Sequence, residues 1–158
     1  MQSQILVDLL ISKKLKIATA ESCTGGLLAK TITDTSGASA VFDMGIVSYA
    51  NEIKNKFLNV PNEVLNTVGA VSSETAEAMA RGIVEAATAD IGVGITGIAG
   101  PTGGTPEKPV GLVYYSIYFN NEDKLIIEKL LLNGTRDDIR NETVNKVIKR
   151  LISELETM

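Results

Sequence analysis

The stretch Ile17-Ala18-Thr19-Ala20-Glu21-Ser22-Cys23-Thr24-Gly25-Gly26 restricts the fold more than any other part of the chain. Small and β-branched side chains run up to Ser22, two glycines follow, and Leu27, Leu28 and Ile32 then recur at helical spacing. The pattern predicts a buried strand, a tight turn and the start of a helix. Such a turn sets several hydroxyls beside backbone N–H groups at the positive end of a helix dipole. That place suits an anion or a developing oxyanion. Ser and Thr also serve there as plain helix caps, but two glycines in one turn exceed what capping requires.

The rest of the sequence continues the alternation. Residues 2–13 place Ile5, Leu6, Leu9 and Leu10 on one helical face, and a strand follows at about 15–20. After the helix to Thr33, the residues Asp34 to Gly37 form a turn, and Phe42 to Tyr49 reads as a second strand. Asn51 to Leu58 is a short helix carrying Lys54 in its early turns, and a further helical piece runs through Leu65 towards Gly69. Ser72 or Ser73 caps a longer helix to Ala87, with Glu74 favourably placed in its first turn. Asp90 to Thr96 is apolar enough for a central strand; Val110–Phe119 and Lys124–Leu132 flank polar residues as a hairpin. A final helix from Thr135 to Glu156 turns Ile139, Val144, Val147, Ile148, Leu151 and Leu155 inward. The expected fold is α/β: three layers, α/β/α, around a mixed, mostly parallel sheet of about five strands. With no repeat or linker, residues 1–158 are expected to form a single domain large enough to bury a real core.

Composition removes whole classes of chemistry. The chain has no histidine, which excludes Ser-His-Asp and Cys-His catalysis and histidine-ligated zinc. A single cysteine allows no internal disulfide and fits a reducing cytoplasm. The net charge of -4 and the 4% aromatic content give no nucleic-acid surface. No apolar window reaches membrane-spanning length and no cleavable leader is legible, so neither a membrane nor secretion is expected. No clustered Asp and Glu set has metal-ligand spacing, so no metal or other cofactor is called for.

Gly92-Val93-Gly94-Ile95-Thr96-Gly97 matches a dinucleotide-binding spacing, but the glycines lie inside a strand and Pro101 follows where a helix would have to start. Close backbone packing explains them better. The Gly97–Pro109 loop is long for a connection without secondary structure, which favours a ligand-covering role. If the first and third strands are parallel neighbours, Ser22 and Thr96 meet on one rim of the sheet, where ligands bind in open α/β folds.

Without histidine, a serine nucleophile needs another base, and lysine is the usual substitute. Holding a lysine neutral near pH 7 costs roughly 4–5 kcal/mol, which burial or a nearby cation must supply. Lys54 is the best-placed candidate, with Tyr49 as a proton relay, but residue pattern alone favours reading it as a solvated helix lysine. Cys23 reads more simply as a small buried residue than as a nucleophile.

The segments Ala20–Gly26, Gly45–Lys54, Gly69–Ser72, Thr96–Pro101 with Gly103-Gly104, and Lys108–Gly111 resemble the CinA C-terminal domain family, in order and over nearly the whole chain. The resemblance implies a nicotinamide-nucleotide amidase that converts nicotinamide mononucleotide to nicotinic acid mononucleotide and ammonia. It implies Ser22 as nucleophile with Lys54 and Tyr49, and no cofactor. It implies Thr96 near the reacting amide and Arg136 as a substrate contact, with Arg140 as the rival to Arg136. Beside it, the turn itself offers the backbone N–H groups of Cys23, Thr24, Gly25 and Gly26 to the oxyanion, and the loop that starts at Gly97 is expected to help hold the substrate. The implied partner is a small pyridine nucleotide, and the implied assembly is a homo-oligomer. A non-catalytic nucleotide-binding module and a competence-related interaction module remain open alternatives at this stage.

Overall fold

All five residues of β1 (Ile17–Glu21) are buried, because the strand lies inside a sheet covered on both faces. The computed structural model describes residues 1–158. In chain order the other elements are α1 (Gln2–Lys13), α2 (Leu27–Thr33), β2 (Phe42–Val47), α3 (Asn51–Leu58), α4 (Asn62–Thr67) and α5 (Ser73–Ala87). They continue with β3 (Ile91–Gly97), β4 (Leu112–Phe119), β5 (Lys124–Leu131) and α6 (Arg136–Glu156). The sheet runs β2-β1-β3-β4-β5, so β2 and β5 are its edges. β1 is parallel to both β2 and β3, whereas β4 is antiparallel to β3 and to β5. Only β4 therefore runs against the others, in agreement with the expected mixed and mostly parallel sheet.

Alternation along each strand divides the core between two layers. Ile17, Ile91, Val93 and Ile95 face α1, α2 and α6, where they join Leu6, Leu10, Leu28, Ile32, Val147 and Leu151 in the larger cluster. Ala18 and Ala20 face the opposite way and pack with Leu58, Val60, Leu65, Met79 and Ile83 under α3, α4 and α5. Gly92 and Gly94 sit on that second face because α5 lies directly on them. A Cβ on Gly92 would run into the carbonyl oxygen of Ala80, and one on Gly94 into that of Ala76. The glycines of β3 are thus a packing device, as the strand context implied. Gly82 of α5 makes the same concession to the Leu58 carbonyl, which seats the end of α3 against the layer.

Two local expectations change. Ile5 is 47% exposed, and the buried stripe of α1 is Ser3, Leu6, Val7 and Leu10. A short helix packed against neighbours on one side needs only that narrow stripe, with Leu9 partly buried beside it. β1 starts at Ile17, two residues later than expected, because Lys14 takes a left-handed conformation (φ 56°) to end α1. Ser72 is the cap of α5, accepting from the Thr75 N–H at 3.2 Å. No helix is long and apolar enough to cross a membrane.

Candidate active site

β2 and β3 flank β1 on opposite sides, which leaves a crevice beyond the carboxyl ends of the parallel strands. Ser22 follows the last residue of β1, and its N–H donates to the Ile95 carbonyl at 3.0 Å. On the other side the Ser48 N–H donates to the Glu21 carbonyl at 2.8 Å, so the segment leaving β2 is tied to the same point. That segment leads into α3, whose first turn carries Lys54.

Lys54 is 1% exposed. Its Nζ donates to the Ser48 carbonyl at 2.7 Å and to the Tyr49 carbonyl at 3.2 Å, and it lies 3.3 Å from Ser22 Oγ. None of the chain's ion pairs involves it. Burial without a countercharge holds the amine below its ordinary value of 10.5. In its neutral form the amine has two N–H donors and one lone pair. With both donors given to the two carbonyls, the lone pair would be left for the Ser22 hydroxyl. In that form the arrangement can take a proton from Ser22.

The cleft around this pair has a volume of ≈ 280 Å³. Of the residues expected at the site, Ser22, Cys23, Tyr49, Lys54, Thr96, Gly97 and Arg136 line it. Thr96 is buried at its rear, its hydroxyl donating to the Ala70 carbonyl at 2.7 Å. Tyr49 stands at the mouth, 58% exposed, and its hydroxyl accepts from Arg136 at 2.7 Å. Arg136 also donates to the Gly100 carbonyl at 2.7 Å, bridging the mouth to the Gly97–Pro109 loop. It is therefore the Tyr49 carbonyl, and not its phenol, that touches Lys54. The Cys23 thiol belongs to the larger core, and burial pushes it up to about 12, so it remains a thiol at neutral pH.

Thr24, Gly25 and Gly26 face a different hollow of ≈ 310 Å³, shared with Leu27, Lys30, Asp137, Arg140 and Asn141. Gly25 and Gly26 both have positive φ (62° and 98°). Arg140 fills the space a Gly25 side chain would need and donates to the Thr24 carbonyl at 3.0 Å. Arg136 and Arg140 are thus separated: the first borders Ser22, the second the outer side of the turn.

Glu21 had no expected role, yet it is fully buried next to Ser22. Its Oε1 accepts from the Thr24 hydroxyl at 2.7 Å and from the Leu28 N–H at 2.8 Å, and its Oε2 accepts from the Ala29 N–H at 3.0 Å. An acid closing an otherwise apolar strand was the available signal, since a buried carboxylate requires partners. The N–H groups of Cys23 and Thr24 make no backbone hydrogen bond. Lys108, part of a family-matching segment but without an expected role, donates from Nζ to the carbonyls of Val68 (2.6 Å) and Val71 (2.7 Å), pinning the segment before α5 to the long loop. Backbone acceptors such as these leave no trace in side-chain patterns. No group of acidic or cysteine side chains is clustered as metal ligands would be.

Comparison with known proteins points one way. The CinA C-terminal domain matches residues 1–155. A CinA-like protein of Kosmotoga olearia is 56% identical over 138 residues, covering 87% of this chain and 33% of that protein. The chain spans about one third of the length of the curated relatives it matches. The crystal structure of competence/damage inducible protein CihA from Agrobacterium tumefaciens superimposes with a TM-score of 0.91 at 40% identity, covering 99% of this chain and 96% of that one. A CinA superfamily protein from Klebsiella pneumoniae gives 0.94 at 30% identity, covering 99% and 97%.

Proposed function

The chain belongs to the CinA C-terminal domain family, and from that premise we propose that it hydrolyses the carboxamide of nicotinamide mononucleotide, with Ser22 as nucleophile and Lys54 as base. The observation that carries this reading is the Lys54 amine, buried, without a countercharge, and 3.3 Å from Ser22 Oγ. A lysine kept only for packing would not be held this way, because burying an ammonium costs several kcal/mol that an apolar side chain avoids.

In this mechanism Ser22 Oγ attacks the carboxamide carbon and gives its proton to Lys54. The free N–H groups of Cys23 and Thr24 receive the oxyanion, the contribution that usually dominates acyl transfer. Lys54 passes the proton to the amide nitrogen, the C–N bond breaks, and ammonia leaves an ester on Ser22. A water molecule then gives a proton to Lys54 and attacks that ester, which releases the nicotinic acid product and returns the proton to Ser22. Thr96 and Gly97 border the ring. Arg136 at the mouth offers a guanidinium to the substrate phosphate, and Tyr49 orients that guanidinium through its hydroxyl. A soluble nucleotide of this kind is a substrate for a cytoplasmic protein.

The reading as a nucleotide-binding module without catalysis is weakened by Glu21, which already fills the N-terminus of α2 where a phosphate would be cradled. The test is ammonia release from nicotinamide mononucleotide, nicotinamide riboside and NAD by the wild type and by Ser22→Ala. We expect turnover of the mononucleotide by the wild type and none by Ser22→Ala, with unchanged circular dichroism. Wild-type protein that binds the mononucleotide without releasing ammonia, or a Ser22→Ala variant that still turns over, would overturn the proposal.

A further inference from the structure

We propose that Glu21 is the positioning residue of this site: its buried carboxylate serves as a built-in anion at the N-terminus of α2 and fixes the turn that presents Ser22. The inference rests on the reading of Ser22 as nucleophile and goes beyond it by naming what holds that hydroxyl against Lys54.

Three observations carry it. α2 has only seven residues, begins at Gly26, and has no side-chain cap of its own. A helix this short is unstable alone, and the Glu21 carboxylate supplies the missing partners by accepting from the N–H groups of Leu28 and Ala29. The same carboxylate takes the Thr24 hydroxyl at 2.7 Å, so the turn between Ser22 and α2 is clamped from inside. Finally, the backbone carbonyl of Glu21 accepts from the Ser48 N–H, and the Ser48 carbonyl in turn holds Lys54 Nζ. One residue is thus bonded towards both members of the Ser22–Lys54 pair, with its side chain on one branch and its main chain on the other.

The charge has a second consequence. A helix N-terminus attracts phosphate, but here a carboxylate of the chain itself has taken that place. The substrate phosphate is therefore directed away from α2 and towards Arg136. Burial keeps the neighbouring Cys23 a thiol, and the Glu21 carboxylate adds a smaller push in the same direction.

Glu21→Gln keeps the size of the side chain but sets an NH2 group against backbone N–H donors. Thr24→Val removes one clamp without changing shape, and Thr24→Ser restores it. The measurements are kcat and KM for ammonia release, the rate at which a fluorophosphonate labels Ser22, and the melting temperature. Glu21→Gln and Thr24→Val should lower both kcat and the labelling rate about 10- to 100-fold, with KM nearly unchanged. Thr24→Ser should recover most of the loss, and the pH at which activity rises should not move, since Lys54 keeps its surroundings. If both variants melt earlier yet label and turn over at the wild-type rate per folded molecule, Glu21 is merely structural and the proposal fails. If Glu21→Gln does not fold, the Thr24 pair decides by the same criterion. Wild-type protein that is labelled at Ser22 but releases no ammonia sinks the amidase reading, while the labelling rates still judge Glu21. Wild-type protein that is not labelled at all sinks both.

Discussion

Two hollows of similar size meet at the turn that follows β1, and each contains a lysine and an arginine. In the cleft, Lys54 is 1% exposed, unpaired, and held by two carbonyls. In the outer hollow, the side chain of Lys30 is 68% exposed and forms an ion pair with Asp34 at 2.5 Å. Arg136 spans the mouth of the cleft between Tyr49 and Gly100, whereas Arg140 lies along the glycine turn and bonds the Thr24 carbonyl. Residue types are matched across the turn, and only their surroundings differ. The Lys30 amine lies open to water beside a carboxylate, whereas the Lys54 amine is shut away from water with no countercharge, which lowers its pKa. The two amines differ in burial and not in identity.

The sharpest way to break that comparison is to remove each lysine. Lys54→Met should lower kcat for ammonia release about 1,000-fold, within the range of a lost general base, whereas Lys30→Met should change it less than about twofold, since exposed ion pairs contribute little. Equal losses in the two variants would erase the distinction. The arginines come next. Arg136→Ala should raise KM for the mononucleotide about 10- to 100-fold, the worth of one charge-assisted hydrogen bond. Arg140→Ala should leave KM within about threefold, as expected of a side chain on the outer wall. Steady-state kinetics on both variants would decide, and a larger effect at Arg140 would move the phosphate site to the outer hollow.

The smallest effect concerns stability. Lys54 binds its proton less tightly when folded than when unfolded, so between its lowered folded value and 10.5 the unfolded chain holds more protons. Stability of the wild type therefore rises with pH across that window. Urea unfolding over a pH series should show the difference between wild type and Lys54→Met moving in favour of the wild type as pH approaches 10.5. A difference that stays flat would mean that the amine is solvated. Activity should rise with pH through the same lowered value, with no step attributable to imidazole.

The strands and helices around Ser22 are legible because apolar periodicity and glycine placement have few other uses. The adjacency of β1 and β3, by contrast, enters from sequence only as a condition, and the strand order is seen first in the structure. The juxtaposition of Ser22 and Lys54 was reached through the family motif, because sequence spacing cannot tell a buried helix lysine from a solvated one. Ile5 was misjudged for the same reason: the periodic pattern marks a face but not how wide a strip its neighbours will cover. The separation of Arg136 from Arg140 depends on the direction in which α6 enters, since residues four apart lie one turn along the same helix and border different hollows here. Glu21 carried a usable signal, an acid ending a buried strand. The carbonyls of Ser48, Tyr49, Ala70 and Gly100 carried none.

The two members of the proposed pair hang from different parts of the sheet. Ser22 stems from an interior strand, while the carbonyls that grip Lys54 follow the rim strand β2, which has a neighbour on one side only. Rim strands peel away at lower free energy than the strands they border. Moderate warming should therefore silence the chemistry reversibly while most of the molecule is still intact, and the temperature at which turnover vanishes would report the fraying of one border and not the melting of the whole.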